Sequence, residues 1–117
     1  MTEAPQPTRL PDLDPGQAVD LLQKHAAVLL DVREPQEWAA GHAPQAHHLP
    51  LDQVSPAAVP QDRLVVAVCR SGNRSGKAAD ALAAAGVQVH NLAGGMKAWA
   101  QAGLPVVTDD GEPGTVA

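Results

Sequence analysis

Cys69 is the only cysteine among 117 residues, and the side chains that follow it give it chemical interest. From Cys69 the chain runs Arg70-Ser71-Gly72-Asn73-Arg74-Ser75-Gly76-Lys77, which places three of its eight basic residues within nine positions and no acid among them. The whole chain carries a net charge of -5, so this stretch reverses the sign locally. Gly72, Asn73 and Gly76 tolerate backbone conformations that turn amide N–H groups inward. A helix expected directly afterwards adds free N–H groups and the positive end of its dipole. Such a cradle favours an anion at its centre. A thiol held there ionises more readily, because cations and a helix N-terminus stabilise the thiolate. It also suits a small anionic substrate approaching that thiolate. Ser71 and Ser75 can donate hydrogen bonds to the anion, and Ser75 can equally cap the helix. Arg70 and Lys77 also fit as solvated charges, whereas Arg74 sits inside the turn. The spacing is not that of a phosphate-cradling Walker loop, G-x-x-x-x-G-K-[ST].

Several elements have to hold this loop. Residues 64–68, LVVAV, are uncharged and rich in β-branched side chains, the pattern of a buried strand, and Cys69 stands at its carboxyl end. In open parallel sheets, ligands bind where such strand ends lead into helices. Residues 76–85 read as the alanine-rich helix that follows, stopped by Gly86. Asp14-Pro15-Gly16-Gln17 is a helix start, with Asp14 as N-cap, Pro15 in the first turn and Gln17 closing a capping box. Val19, Leu22 and Ala26 then fall on one face. Residues 28–32 form a second buried strand, Pro35 opens a short helix that Gly41 ends, and 48–51 form a brief strand closed by Pro50. Residues 87–92 alternate as a strand, and 95–102 form a last helix before Gly103. Strands alternating with helices predict an α/β fold with a mainly parallel sheet covered on both faces.

Composition narrows the classes. One domain fits this length, and the expected boundaries are a flexible tail over 1–8, a domain over 9–107 and a flexible tail over 108–117. The core lacks Phe and Tyr, so Leu, Val, Ala and the two Trp must fill it. The negative charge argues against nucleic acid as a partner. No basic region followed by an apolar run opens the chain, and no apolar run nears the roughly 20 residues needed to cross a bilayer. The expectation is a cytoplasmic protein with no membrane partner; its oligomeric state is left open. A lone cysteine excludes an internal disulfide and a multi-cysteine metal site. His42, His47 and His48 lack a cysteine partner or a helical i, i+4 pair, which favours structural or exposed roles over metal binding.

Three separated motifs resemble the rhodanese family. Residues 30–42, LDVREPQEWAAGH, are similar to its first signature; 68–75, VCRSGNRS, to its active-site loop; and 94–106, GGMKAWAQAGLPV, to its closing segment. They occur in family order and span roughly 12–107. The stretch after His42, Ala43-Pro44-Gln45-Ala46, departs from the usual pattern, as does His47-His48. The resemblance implies a three-layer fold with a five-stranded parallel sheet. It implies Cys69 as a sulfur carrier, with backbone amides from Arg70 to Ser75 (through Ser71, Gly72, Asn73 and Arg74) around the terminal sulfur. Asp31 and Arg33 would stand near the loop as supporting charges or as a structural ion pair. Glu37 falls at a substrate-facing position, but an acid there repels thiosulfate, and it is left out of the catalytic set.

The implied activity is that of a thiosulfate sulfurtransferase. The Cys69 thiolate takes the outer sulfur of a small anionic donor, and the resulting persulfide yields it to cyanide, a thiol or a protein acceptor. Arg70 and Arg74 would hold the sulfonate, and no metal or organic cofactor is required. Competing readings are a non-catalytic rhodanese-like sulfur-carrier or regulatory module and, further off, a phosphatase or arsenate reductase. The latter use a C-x5-R loop, whereas Cys69 to Arg74 is C-x4-R. 3-Mercaptopyruvate is a lesser donor alternative.

Overall fold

A computed structural model describes residues 7–60 and 62–117. The first helix, α1 (Pro15–Gln23), starts as its sequence requires. Asp14 Oδ1 accepts from the Gln17 amide at 2.8 Å, and Gln17 Oε1 accepts from the Asp14 amide at 2.9 Å. Ala18 takes its buried position with Val19, Leu21 and Leu22 packed around it, while Ala26 lies beyond the helix and is exposed. There follow β1 (Ala27–Asp31), α2 (Pro35–Ala40), β2 (His47–His48) and two 3-10 turns, Leu51–Gln53 and Pro56–Ala58. The remainder is β3 (Leu64–Val68), α3 (Asn73–Ala84), β4 (Val89–Asn91) and α4 (Gly95–Gln101).

The strands form one parallel sheet in the order β2-β1-β3-β4, with Ala27 opposite Leu64 and Asp31 opposite Val68. Alternate side chains leave on opposite faces. Leu30, Val32, Val65, Ala67 and Cys69 share a cluster with Ala78, Ala79, Leu82 and Ala83 of α3. Ala27, Leu29, Val66 and Val68 join Ala18 of α1 with Met96 and Trp99 of α4. The three-layer α/β architecture expected from the sequence is therefore present, and the small alanines of α3 allow it close approach to the sheet.

The sheet has four strands where five were expected. In the fifth position, Leu13 bridges Leu92 in parallel, and the amides of Leu10 and Leu13 donate to Val89 O at 2.8 Å and Asn91 O at 3.0 Å. The two donors stand three residues apart and their acceptors only two, so an extra residue interrupts the ladder and the pairing stays a bridge.

The far end also departs from expectation. Residues 108–117 carry few apolar side chains, but they fold back on α2: Val116 packs against the core, Trp38 Nε1 donates to Asp109 Oδ1 at 3.2 Å, and backbone hydrogen bonds join the segments. His42 and Val107 exchange two bonds of 2.9 Å, Gly114 N donates to Val106 O at 2.8 Å, and Thr115 N to Ala40 O at 2.9 Å. A side chain at Gly41 would meet the Thr115 backbone at 2.5 Å, so glycine permits this approach. Apolar content does not report this kind of attachment, which is why a tail was expected. Residues 1–6 of the other expected tail lie outside the described residues. Among the described residues no helix is long and apolar enough to cross a membrane.

Candidate active site

Cys69 follows β3 directly, and α3 begins at Asn73, three residues before the expected start at 76. Asn73-Arg74-Ser75 has turn chemistry, but the first turn of a helix tolerates it because its amides need no intrahelical partner. Gly72, at φ +106°, is the N-cap, a conformation that other residues rarely adopt. The loop proper is thus Cys69 to Gly72, and Arg74 and Ser75 belong to the helix. From the other side, α4 holds the loop by its carbonyls. Met96 N donates to Cys69 O at 2.8 Å and Lys97 N to Arg70 O at 3.0 Å. Gly95 makes this docking possible: a Cβ there would lie 2.6 Å from Arg70 C and O.

With its carbonyls engaged by α4, the loop directs amides at the sulfur. Gly72 N donates to Cys69 Sγ at 3.1 Å, and Ser75 Oγ lies 3.3 Å from it. Ser75 Oγ also lies 2.6 Å from Asn91 Oδ1, while Asn91 Nδ2 donates to Gly72 O at 3.0 Å. The hydroxyl has one proton. Directed at Asn91, it leaves its oxygen free to accept from the thiol; turned to Sγ, it donates to the thiolate. The cysteine is only 1% exposed. Burial pushes the thiol up, but the Ser75 hydroxyl and the amides of Ser75, Gly72 and Ser71 outweigh it and hold Cys69 below its ordinary value. These protein dipoles, in place of water, are the groups that would surround a thiolate here.

The cations expected over the sulfur are partly engaged. Arg74 makes a two-pronged ion pair with Glu37 of α2, Nη1 to Oε1 at 2.6 Å and Nη2 to Oε2 at 2.8 Å. Glu34 N also donates to Glu37 Oε1, at 3.0 Å. The Arg74 hydrogen bonds, aided by the Glu34 amide against the effect of burial, hold the Glu37 carboxyl down at about 2. The same carboxylate holds the Arg74 guanidinium above its ordinary value. Arg70 Nε donates to Ala117 O at 2.9 Å. Ser71, Asn73 and Lys77 are exposed.

Asp31 and Arg33 are both fully buried and form a two-pronged ion pair, with Arg33 Nε and Nη2 reaching Asp31 at 2.8–3.1 Å. Arg33 Nη2 also donates to Gly41 O at 2.8 Å. The pair ties the end of β1 to the end of α2, which is its structural reading. His42 and His48 stack on Trp38 at 3.5 and 4.8 Å between ring centroids, and His47 is exposed. Among the described residues no group of three or more His, Cys, Asp or Glu is placed to hold a metal ion.

Two residues that matter here escaped the sequence reading. Asn91 orients Ser75 and Gly72 together, and its signal was a polar side chain at the carboxyl end of the strand beside β3. Gly95 admits α4 to the loop, and its signal was the doubled glycine before a helix.

The profile of the rhodanese-like domain matches residues 14–102. An Allochromatium vinosum protein named a sulfurtransferase is 44% identical over 87 residues, covering 72% of this chain and 81% of that one. An uncharacterized Synechocystis protein is 44% identical over 96 residues, covering 80% of this chain; the match spans only 54% of the Synechocystis protein's length. The crystal structure of a rhodanese-related protein from Thermoplasma volcanium superposes with a TM-score of 0.77 at 26% identity, covering 84% of this chain and 98% of that one.

Proposed function

The chain belongs to the rhodanese-like family, and from that membership we propose that it is a sulfurtransferase that carries sulfane sulfur as a persulfide on Cys69. In the first half-reaction the Cys69 thiolate attacks the outer sulfur of thiosulfate. A Cys69 S–S bond forms, the donor's S–S bond breaks, and sulfite leaves with the bonding pair. In the second, cyanide, a thiol or a protein acceptor attacks the outer sulfur of the persulfide, and the thiolate is released. This is covalent catalysis with ping-pong kinetics.

One observation carries the reading: the sulfur of the single cysteine accepts from Gly72 N at 3.1 Å and sits 3.3 Å from the Ser75 hydroxyl. Donors fixed before the reaction act on developing charge without reorganisation, as in an oxyanion hole. The amides of Ser71, Gly72 and Ser75 serve the thiolate first and the persulfide afterwards, while Arg70 and Arg74 stand at the rim of the loop. The short C-x4-R spacing suits one sulfur atom better than a tetrahedral oxyanion. The 44% identity to a protein named a sulfurtransferase supports the same chemistry.

The test is to treat the reduced protein with thiosulfate and weigh it. The expected result is a gain of one sulfur atom per chain, mapped to Cys69 and removed by cyanide with formation of thiocyanate. No gain with any sulfane donor favours the regulatory-module reading instead. Turnover of an aryl phosphate dependent on Cys69 favours the phosphatase reading.

A further inference from the structure

Glu37 stands where it changes what the loop can bind. The sequence pattern offers Arg74 as a free cation for a substrate's sulfonate, yet both of its terminal nitrogens are held by the Glu37 carboxylate, at 2.6 and 2.8 Å. That carboxylate is itself fixed. It caps the first turn of α2 through the Glu34 amide, and its side chain is only 15% exposed. Arg74, at 36% exposure, remains at the surface of the site. An incoming dianion therefore meets a neutralised pair in place of a cation. To engage Arg74 it must displace Glu37 or lie beside it, and like charges at such distance oppose each other. A donor carrying its outer sulfur on an uncharged organic group faces no such competition.

We infer that Glu37, acting through Arg74, sets donor selectivity, handicapping dianionic thiosulfate in favour of low-charge alkyl persulfides. The inference rests on the sulfur-carrier reading of Cys69 and adds the donor class to it. With an alkyl persulfide, R–S–SH, the Cys69 thiolate attacks the terminal sulfur. The new bond joins Cys69 Sγ to that sulfur, the R–S bond to it breaks, and the alkyl thiolate leaves to take a proton from water. The product is the same protein persulfide, with no net oxidation. Glu37 is a positioning residue in this scheme, because it reaches the donor only through Arg74.

The experiment compares thiosulfate with the persulfide of 2-mercaptoethanol on the full chain, for wild type, E37Q, R74Q and E37Q/R74Q. Gln keeps an oxygen for the Glu34 amide, so E37Q removes charge with little loss of capping. For E37Q, kcat/KM with thiosulfate should rise about tenfold, mostly through a lower KM, since a charged hydrogen-bonding partner is set free. With the alkyl persulfide it should change less than about twofold. The gain should vanish in E37Q/R74Q relative to E37Q, because it is routed through Arg74. If E37Q does not fold, E37A, which removes the same charge, takes its place and should raise kcat/KM with thiosulfate likewise, with the gain again lost in E37A/R74Q. A thiosulfate KM that is unchanged or higher without the Glu37 charge, or an equal change for both donors, overturns the inference. Persulfide still formed on Cys69 in those cases leaves the sulfur-carrier reading standing; its absence with both donors in wild type removes both.

Discussion

Replacing Cys69 by Ser is expected to lower sulfur transfer by more than about a thousandfold, since a covalent step has lost its nucleophile. Serine cannot store a second sulfur, and its hydroxyl stays protonated where the thiol ionises. The nest that lowers the thiol does not bridge that gap. The hydroxyl can still accept from Gly72 N, which now donates to the sulfur at 3.1 Å. Stability should therefore change by only about 1 kcal/mol, a typical value for one hydrogen-bonded buried site. Turnover and circular dichroism on the same preparation separate the two effects. Retained transfer in a folded variant would place the sulfur elsewhere and contradict the assignment.

The second large effect is on stability and lies outside the loop. Asp31→Asn leaves the Arg33 guanidinium fully buried without its counter-charge. Removing one partner of a buried ion pair costs about 3–5 kcal/mol, most of it the penalty of the stranded charge. Arg33 has little slack to absorb the loss, because its Nη1 is already a buried nitrogen without a hydrogen-bond partner. In a domain whose total stability is on the order of 5–15 kcal/mol, the urea midpoint should fall steeply. At about 4–8 °C per kcal/mol for a domain near this size, the melting temperature should drop by more than about 12 °C. Replacing both members, Asp31→Asn with Arg33→Met, should recover much of the loss, because no charge is then left buried. A drop under about 1 kcal/mol in Asp31→Asn would mean that water or another group already serves Arg33.

The residues most legible in the sequence are those whose environment is uniform along the chain. Leu64–Val68 is buried on both faces, so its uncharged β-branched run marks a strand with no help from the rest of the fold. Asp14, Pro15 and Gln17 announce α1 because a capping box is local. Cys69 and its basic neighbours were visible for the same reason, being contiguous. What lay hidden depends on residues distant in sequence. Arg74 reads as a free cation until the fold brings α2 beside it and supplies Glu37. Asn91 reads as a strand end until β4 is set against β3, where it spans Ser75 and Gly72. The start of α3 is hidden because Asn73 and Ser75 favour turns, and Gly72 absorbs the awkward dihedral that lets the helix begin at Asn73. The return of 108–117 onto α2 combines backbone bonds, which composition does not record, with contacts of Asp109 and Val116 to residues distant in sequence.

These features meet in one physical claim: fixed amides and a hydroxyl, in place of water, stabilise a negative charge on a buried sulfur. The most direct measurement is the ionisation of Cys69 itself, followed as the rate of alkylation or the thiolate absorbance against pH. The expected midpoint lies below that of an ordinary cysteine thiol, with reactivity rising as pH climbs through it and levelling above. A midpoint at or above the ordinary thiol value would show that burial outweighs the nest, and the persulfide carrier described here would lose its basis.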